Sequence, residues 1–158
     1  MITQGNTRQR GFTLIELVVV IVIIGILAAF AIPRFAGLAK DARIASVRGM
    51  LGTVRSTSAL VHGMALARSG TLVGGTGNVD LEGATGGIVA VVNFYPAGSA
   101  DGIQDAIGNT ESYTIDSGTP GTVVFQVTGA ATLANCSVTY VAAAVGNVPT
   151  ITSDDTGC

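Results

Sequence analysis

The chain has 158 residues, of which 48% are hydrophobic and only 11% charged, and its mean hydropathy is +0.58. That length suits one compact domain plus an extended element, and that hydropathy is unusual for a soluble domain. Net charge is −2 but segregated: all eight bases lie at or before Arg68, and Ser69–Cys158 holds eight acids and no base. The C-terminal portion is thereby a poor nucleic-acid binder, because phosphate contact needs Lys or Arg.

Residues 1–11 are polar, carry Arg8 and Arg10, and read as a leader rather than a folded element. Their positive charge should hold the N-terminus on the cytoplasmic side. Phe12–Ile32 follows, 21 residues with only Thr13 and Glu16 polar, and the sixteen from Leu17 to Ile32 are all apolar or glycine. A bilayer-spanning helix needs about 20 such residues. The run is too long for a buried strand and lacks turn punctuation. Gly25 and Pro33 are its weak helix points, since glycine is floppy and proline removes an N–H donor. Glu16 sits at the mouth of this segment. A carboxylate in a membrane helix costs about 2.5–3.5 kcal/mol at mid-bilayer and less near an interface, so it calls for a positive partner.

Gly11-Phe12-Thr13-Leu14-Ile15-Glu16, with the apolar run behind it, resembles the N-terminus of type IV pilins and of their secretion-system relatives, the pseudopilins. The resemblance implies cleavage by a prepilin peptidase between Gly11 and Phe12 and N-methylation of Phe12. It implies that Glu16 pairs with the methylated amine of an adjacent subunit during assembly, and that the helix loosens between Gly25 and Pro33 within a filament. Removal of the leader leaves six bases and ten acids, a net charge of −4. A rival reading exists: Ala29-Phe30-Ala31 resembles a secretory A-x-A site, and cleavage after Ala31 would release a soluble domain. Glu16 and the helical pattern beyond Pro33 argue against it.

Residues 34–68 continue as an amphipathic helix. Val47, Met50, Leu51, Val54, Ser58, Val61 and Ala65 advance in steps that keep one face together, with Arg48 and Arg55 on a neighbouring face. Gly49, Gly52 and Gly63 each cost about 1 kcal/mol relative to alanine there. One stem from Phe12 to about Arg68, roughly 85 Å long at about 1.5 Å per residue, is the expectation.

Seven glycines crowd residues 69–87, which read as loop, including Gly74-Gly75-Thr76-Gly77. Ile88–Val92 reads as a short helix or a strand, and Phe94-Tyr95-Pro96 breaks it. Asp101-Gly102 and Gly108-Asn109 mark turns. Ser112–Asp116, Thr122–Thr128 and Ser137–Ala144 are rich in Val, Thr, Tyr and Phe and read as strands, with a hairpin connection at Ser117–Gly121. Pro33-Arg34-Phe35, Lys40-Asp41-Ala42-Arg43, Tyr95-Pro96 and Asp101-Gly102-Ile103 resemble the mannose-sensitive haemagglutinin pilin group.

Cys136 and Cys158 are the two cysteines, either bridged or buried as free thiols. Export and the position of Cys158 favour a bridge, since disulfides persist outside the cytoplasm and a terminus frays unless tied. A bridge spanning 21 intervening residues would contribute about 3 kcal/mol by loop entropy. The position also resembles the disulfide-bounded C-terminal region of many type IV pilins.

No residue pattern calls for catalysis. His62 is the only histidine and reads as a packed or surface residue. Neither a nucleophile elbow nor a phosphate loop is present. Asp101 with Asp105, and Asp154 with Asp155, lack a calcium-loop pattern and read as solvated turn acids. Asn135-Cys136-Ser137 fits a glycosylation sequon only formally. The expectation is therefore an α+β, pilin-like chain, a long N-terminal helix packed on one small antiparallel β-sheet, that is not an enzyme and needs no metal or cofactor. Its parts are a leader over 1–11, a stem helix over 12–68 whose membrane half is 12–32, and a β-rich head with a C-terminal disulfide loop over 69–158. The resemblance implies an inner-membrane subunit that polymerises with itself into an extracellular adhesive pilus, served by prepilin peptidase, a platform protein and assembly ATPases. A pseudopilin is the alternative.

Overall fold

The computed structural model describes residues 12–158, and it divides into two units, Met1–Ala39 and Lys40–Cys158. Helix α1 (Leu14–Ala67) contributes to both and is 54 residues long. In the first unit its apolar side chains between Leu14 and Ile32 face outward, and none of that span is buried. An all-apolar run such as Leu17–Ile32 has no polar face to leave in water, so its exposure among the described residues marks a surface that needs cover.

In the second unit the periodic positions of α1 turn inward. Val47, Met50, Val54, Ser58, Val61 and Ala65 are all buried, whereas Leu51 is half-buried. The expected single small sheet is two antiparallel sheets, each packed on its own stretch of this face. β1 (Gly77–Asp80), β2 (Ile88–Val92) and β3 (Tyr95–Pro96) form the first, in chain order. β4 (Tyr113–Asp116), β5 (Thr122–Val127), β6 (Ser137–Val141) and β7 (Thr150–Asp154) form the second, also in chain order. Val61 and Ala65 pack with Leu72, Val79, Val89 and Val91 under the smaller sheet. Val47, Met50 and Val54 pack with Ile103, Val123, Phe125, Val138 and Tyr140 under the larger one. β5 shows the strand logic plainly: Val123, Phe125 and Val127 are buried, and Thr122, Val124 and Gln126 alternate with them.

The gap between the two clusters is polar. Ser58 is buried between them on α1, and the buried Tyr140 hydroxyl donates to the Pro96 carbonyl at 2.7 Å. Tyr140 thus ties the larger sheet to β3 of the smaller one. Burial pushes its phenol up to about 12, against a smaller downward pull from the Ser58 hydroxyl.

Several local expectations change. Residues 69–87 contain a strand, β1, whose register pairs Val79 with Val89. Ile88–Val92 is a strand, and Asn93-Phe94 forms the two-residue turn into β3, with φ of 52° and 67°. Left-handed backbone at both central residues matches the right-handed twist of the flanking strands, which is why Asn-X suits this turn. Asp101-Gly102 lies in a helical stretch, Ala100–Gln104, that runs into the short helix α2 (Asp105–Ile107). A Cβ at Gly102 would collide with the Ala97 carbonyl, so only glycine fits. The third expected strand stops at Val141 rather than Ala144, and β7 pairs with it from Thr150 onward.

Candidate assembly surface

The first unit presents the expected motif as an exposed helix start. Phe12 is 80% exposed. Thr13 precedes the first helical residue, and its backbone N–H and hydroxyl donate to Glu16 Oε2 at 2.9 and 2.6 Å. The Glu16 N–H donates back to the Thr13 hydroxyl at 3.3 Å. Thr13 and Glu16 therefore form a capping box, in which a Thr and a Glu three residues later satisfy donors at the helix start. The sequence reading missed this second use of Glu16, although the Thr-x-x-Glu spacing was there to be read. Both bonds fall on Oε2, so Oε1 has no partner among the described residues. A capped carboxylate held at a fixed place, with one oxygen open, is a ready acceptor for a cationic amine.

Gly11 lies outside the described residues. Gly25 and Pro33 both lie within α1, which is assigned as helix throughout. A Cβ at Gly25 would meet nothing within 4 Å.

In the second unit Cys136 and Cys158 are joined by a disulfide, with their Cα atoms 4.9 Å apart. The bridge sits in the larger core cluster. Two arginines of α1 hold the same region: Arg43 Nε donates to the Cys158 main-chain oxygen at 2.8 Å, and Arg48 lies 3.6 Å from the Asp155 carboxylate. The Thr156 hydroxyl and N–H donate to Asp154 Oδ1, which holds that carboxyl below its usual range. Asp154 and Asp155 are thus engaged by a turn and by an arginine. Among the described residues no three His, Cys, Asp or Glu side chains come together as a metal site.

His62 serves as a strut. Its Nδ1 lies 2.8 Å from the Phe94 carbonyl, and its ring stacks on Tyr95 with centroids 4.0 Å apart. The Phe94 N–H donates to the Gly75 carbonyl at 2.7 Å, and Asn93 Nδ2 to the Ala143 carbonyl at 2.8 Å. The left-handed turn at 93–94 is thereby held from the helix, from the Gly74-Gly75 loop and from the loop after β6. A Cβ at Gly75 would strike the Phe94 ring, so this glycine is a packing requirement and not a phosphate loop.

Comparison with known proteins gives the motif a class. The family described as "Prokaryotic N-terminal methylation motif" matches residues 6–32. The chain is 55% identical over 53 residues to the type IV narrow pilus major component PilA5 of Thermus thermophilus, covering 34% of this chain and 46% of that protein. It is 65% identical over 34 residues to the type IV major pilin PilA of Myxococcus xanthus, covering 22% of this chain and 16% of that one. It is 43% identical over 51 residues to the type IV major fimbrial protein FimA of Dichelobacter nodosus, covering 32% and 33% respectively. The chain thus spans less than half the length of these curated relatives. No solved structure matches it. The chain carries a prokaryotic N-terminal methylation motif, and its long apolar helix followed by antiparallel sheets is pilin-like.

Proposed function

We propose that this chain is the structural subunit of a type IV pilus, assembled from the inner membrane into a helical surface filament for adhesion. The observation that carries the reading is the exposed, charge-free run from Leu17 to Ile32 behind a capped Glu16, with a disulfide-bonded head on the same chain. Such a run is stable only in lipid or among other apolar helices, and a bundle of like stems exchanges lipid contact for close packing. In this reading a prepilin peptidase cuts after Gly11 and Phe12 is N-methylated. The new amine of one subunit meets Glu16 of the next, and α1 loosens between Gly25 and Pro33 as the subunit leaves the bilayer. A platform protein and ATPases supply the machinery and the energy; the chain itself is not an enzyme.

The test is the N-terminus and intact mass of the protein in a sheared surface fraction. A chain beginning at N-methyl-Phe12, two hydrogens lighter than the reduced form, supports the reading. The same chain found only in the cell envelope, with no long fibres, would point to a pseudopilin. A soluble chain beginning at Ile32 would sink both.

A further inference from the structure

The charges of the second unit do not balance within one copy. Of its bases, Arg48 meets Asp155, Arg68 Nη1 meets Asp80 at 2.7 Å, and Arg43 holds the Cys158 main-chain oxygen. Lys40 and Arg55 are exposed and form no ion pair among the described residues. Lys40 has Asp41 as its chain neighbour, but no acid lies within a dozen residues of Arg55 on the helix. Arg55 is seven residues beyond Arg48, about 20° around the helix from it, so the two share a flank. Its neighbours on the solvent side, Gly52 and Ala59, are small and exposed, and space is open at Gly52.

The head carries the complement. Glu82, Asp101 and Glu111 are exposed and form no ion pair among the described residues. Glu82 and Glu111 lie on loops and Asp101 on the helical stretch that runs into α2, and these segments adjoin: the Thr85 N–H donates to the Asp105 carbonyl at 3.2 Å, and a Cβ at Gly108 would lie 3.2 Å from the Gly83 carbonyl oxygen. No base occurs after Arg68, so residues 69–158 contain nothing that can neutralise this edge.

From this complementarity we infer that the Arg55 flank of α1 docks the acidic edge, Glu82, Asp101 and Glu111, of a second copy of this chain. A contact between two unlike patches of identical subunits is heterologous, and such contacts extend into open helical filaments wherever the rotation between copies does not close a ring. Like charges on the acidic edge repel one another, which disfavours edge-to-edge pairing and selects the stem as partner. The inference rests on the filament reading above, and names one contact that sets how subunits sit in the filament.

The test is fibre yield from cells producing the full chain, with subunit level and disulfide checked in the membrane fraction by intact mass. Unaltered chain that makes no fibres would remove the filament reading itself. Given fibres, Arg55→Glu should lower their yield about fivefold or more, as loss and reversal of an exposed pair in every subunit would. Arg55→Lys should keep the yield. Combining Arg55→Glu with Glu82→Lys and Glu111→Lys should restore it. Should Arg55→Glu fail to accumulate, the acidic-edge double variant alone should show the same loss of fibres at normal subunit level. Unchanged yield in Arg55→Glu, or loss that reversal of the acidic edge does not recover, would overturn the inference while leaving the filament reading in place.

Discussion

Tyr140 shows how much one side chain decides. It is fully buried, its hydroxyl donates to Pro96, and it spans the seam between the two sheets. Replacing it with phenylalanine would leave the Pro96 carbonyl unpaired at a cost of about 1–3 kcal/mol. Chemical denaturation of the detergent-solubilised chain, followed by tyrosine fluorescence or circular dichroism, should show that loss. The pH dependence has a definite sign. The folded phenol sits at about 12, above the ordinary value of 10.0, so the folded state holds its proton longer than the unfolded one. Its contribution is fully present below pH about 10 and falls as pH rises toward about 12. Tyr140→Phe should therefore flatten the stability profile between those values, and an unchanged slope would show that Tyr140 does not titrate there. Glu16 teaches the same lesson in the first unit. A single carboxylate serves locally as half of a capping box and still offers a second oxygen.

At the scale of the element, α1 is one helix with two different surroundings. From Val47 to Ala65 it has a head to pack on, and its burial follows the helical period. From Leu14 to Ile32 none of it is buried among the described residues. Gly25 carries no packing explanation inside a single copy, since space is open around it, and Gly25 and Pro33 disfavour helix by about 1 and about 3 kcal/mol relative to alanine. If they serve to loosen the stem on assembly, Gly25→Ala with Pro33→Ala should slow amide exchange over residues 25–33 in sheared fibres by about tenfold or more. Equal exchange in the altered and unaltered fibres would mean that the helix is already closed there. Among the strands, alternation in β5 and β6 was legible because half-buried strands repeat every two residues. β1 was not, since Gly77-Asn78-Val79-Asp80 carries one apolar residue and its pairing comes entirely from β2. β7 was hidden likewise, because Thr150–Asp154 holds one large apolar residue, Ile151, and acquires its strand form by pairing with β6.

For the head as a whole, the disulfide ties the C-terminal segment to the start of β6, and the two arginines tie it to α1. The bridge closes a loop 22 residues apart in sequence, worth about 3 kcal/mol by chain entropy. Arg43 can hold the Cys158 oxygen only while that residue stays in place. Cys136→Ser with Cys158→Ser should lower the stability of the chain by about 2–5 kcal/mol, and adding Arg43→Ala should then cost little more. A full additional loss from Arg43→Ala in the disulfide-free chain would show that the arginine holds the C-terminal segment independently.

Composition and pattern alone settled the features that are one-dimensional: the apolar span behind Glu16, the methylation motif, the segregation of charge and the amphipathic face of α1. Each depends on the order of residues along a single helix or on a local motif, and a sequence states that order directly. The tertiary structure decided how the head is partitioned. It divided the expected single sheet into two, placed Ser58 and Tyr140 at their seam, and turned Asn93-Phe94 into a left-handed hinge held from three sides. Those features depend on contacts between residues tens of positions apart, such as Tyr140 with Pro96 and Asn93 with Ala143. Their energies come from burial and from the pairing of polar groups that meet only once the chain has folded.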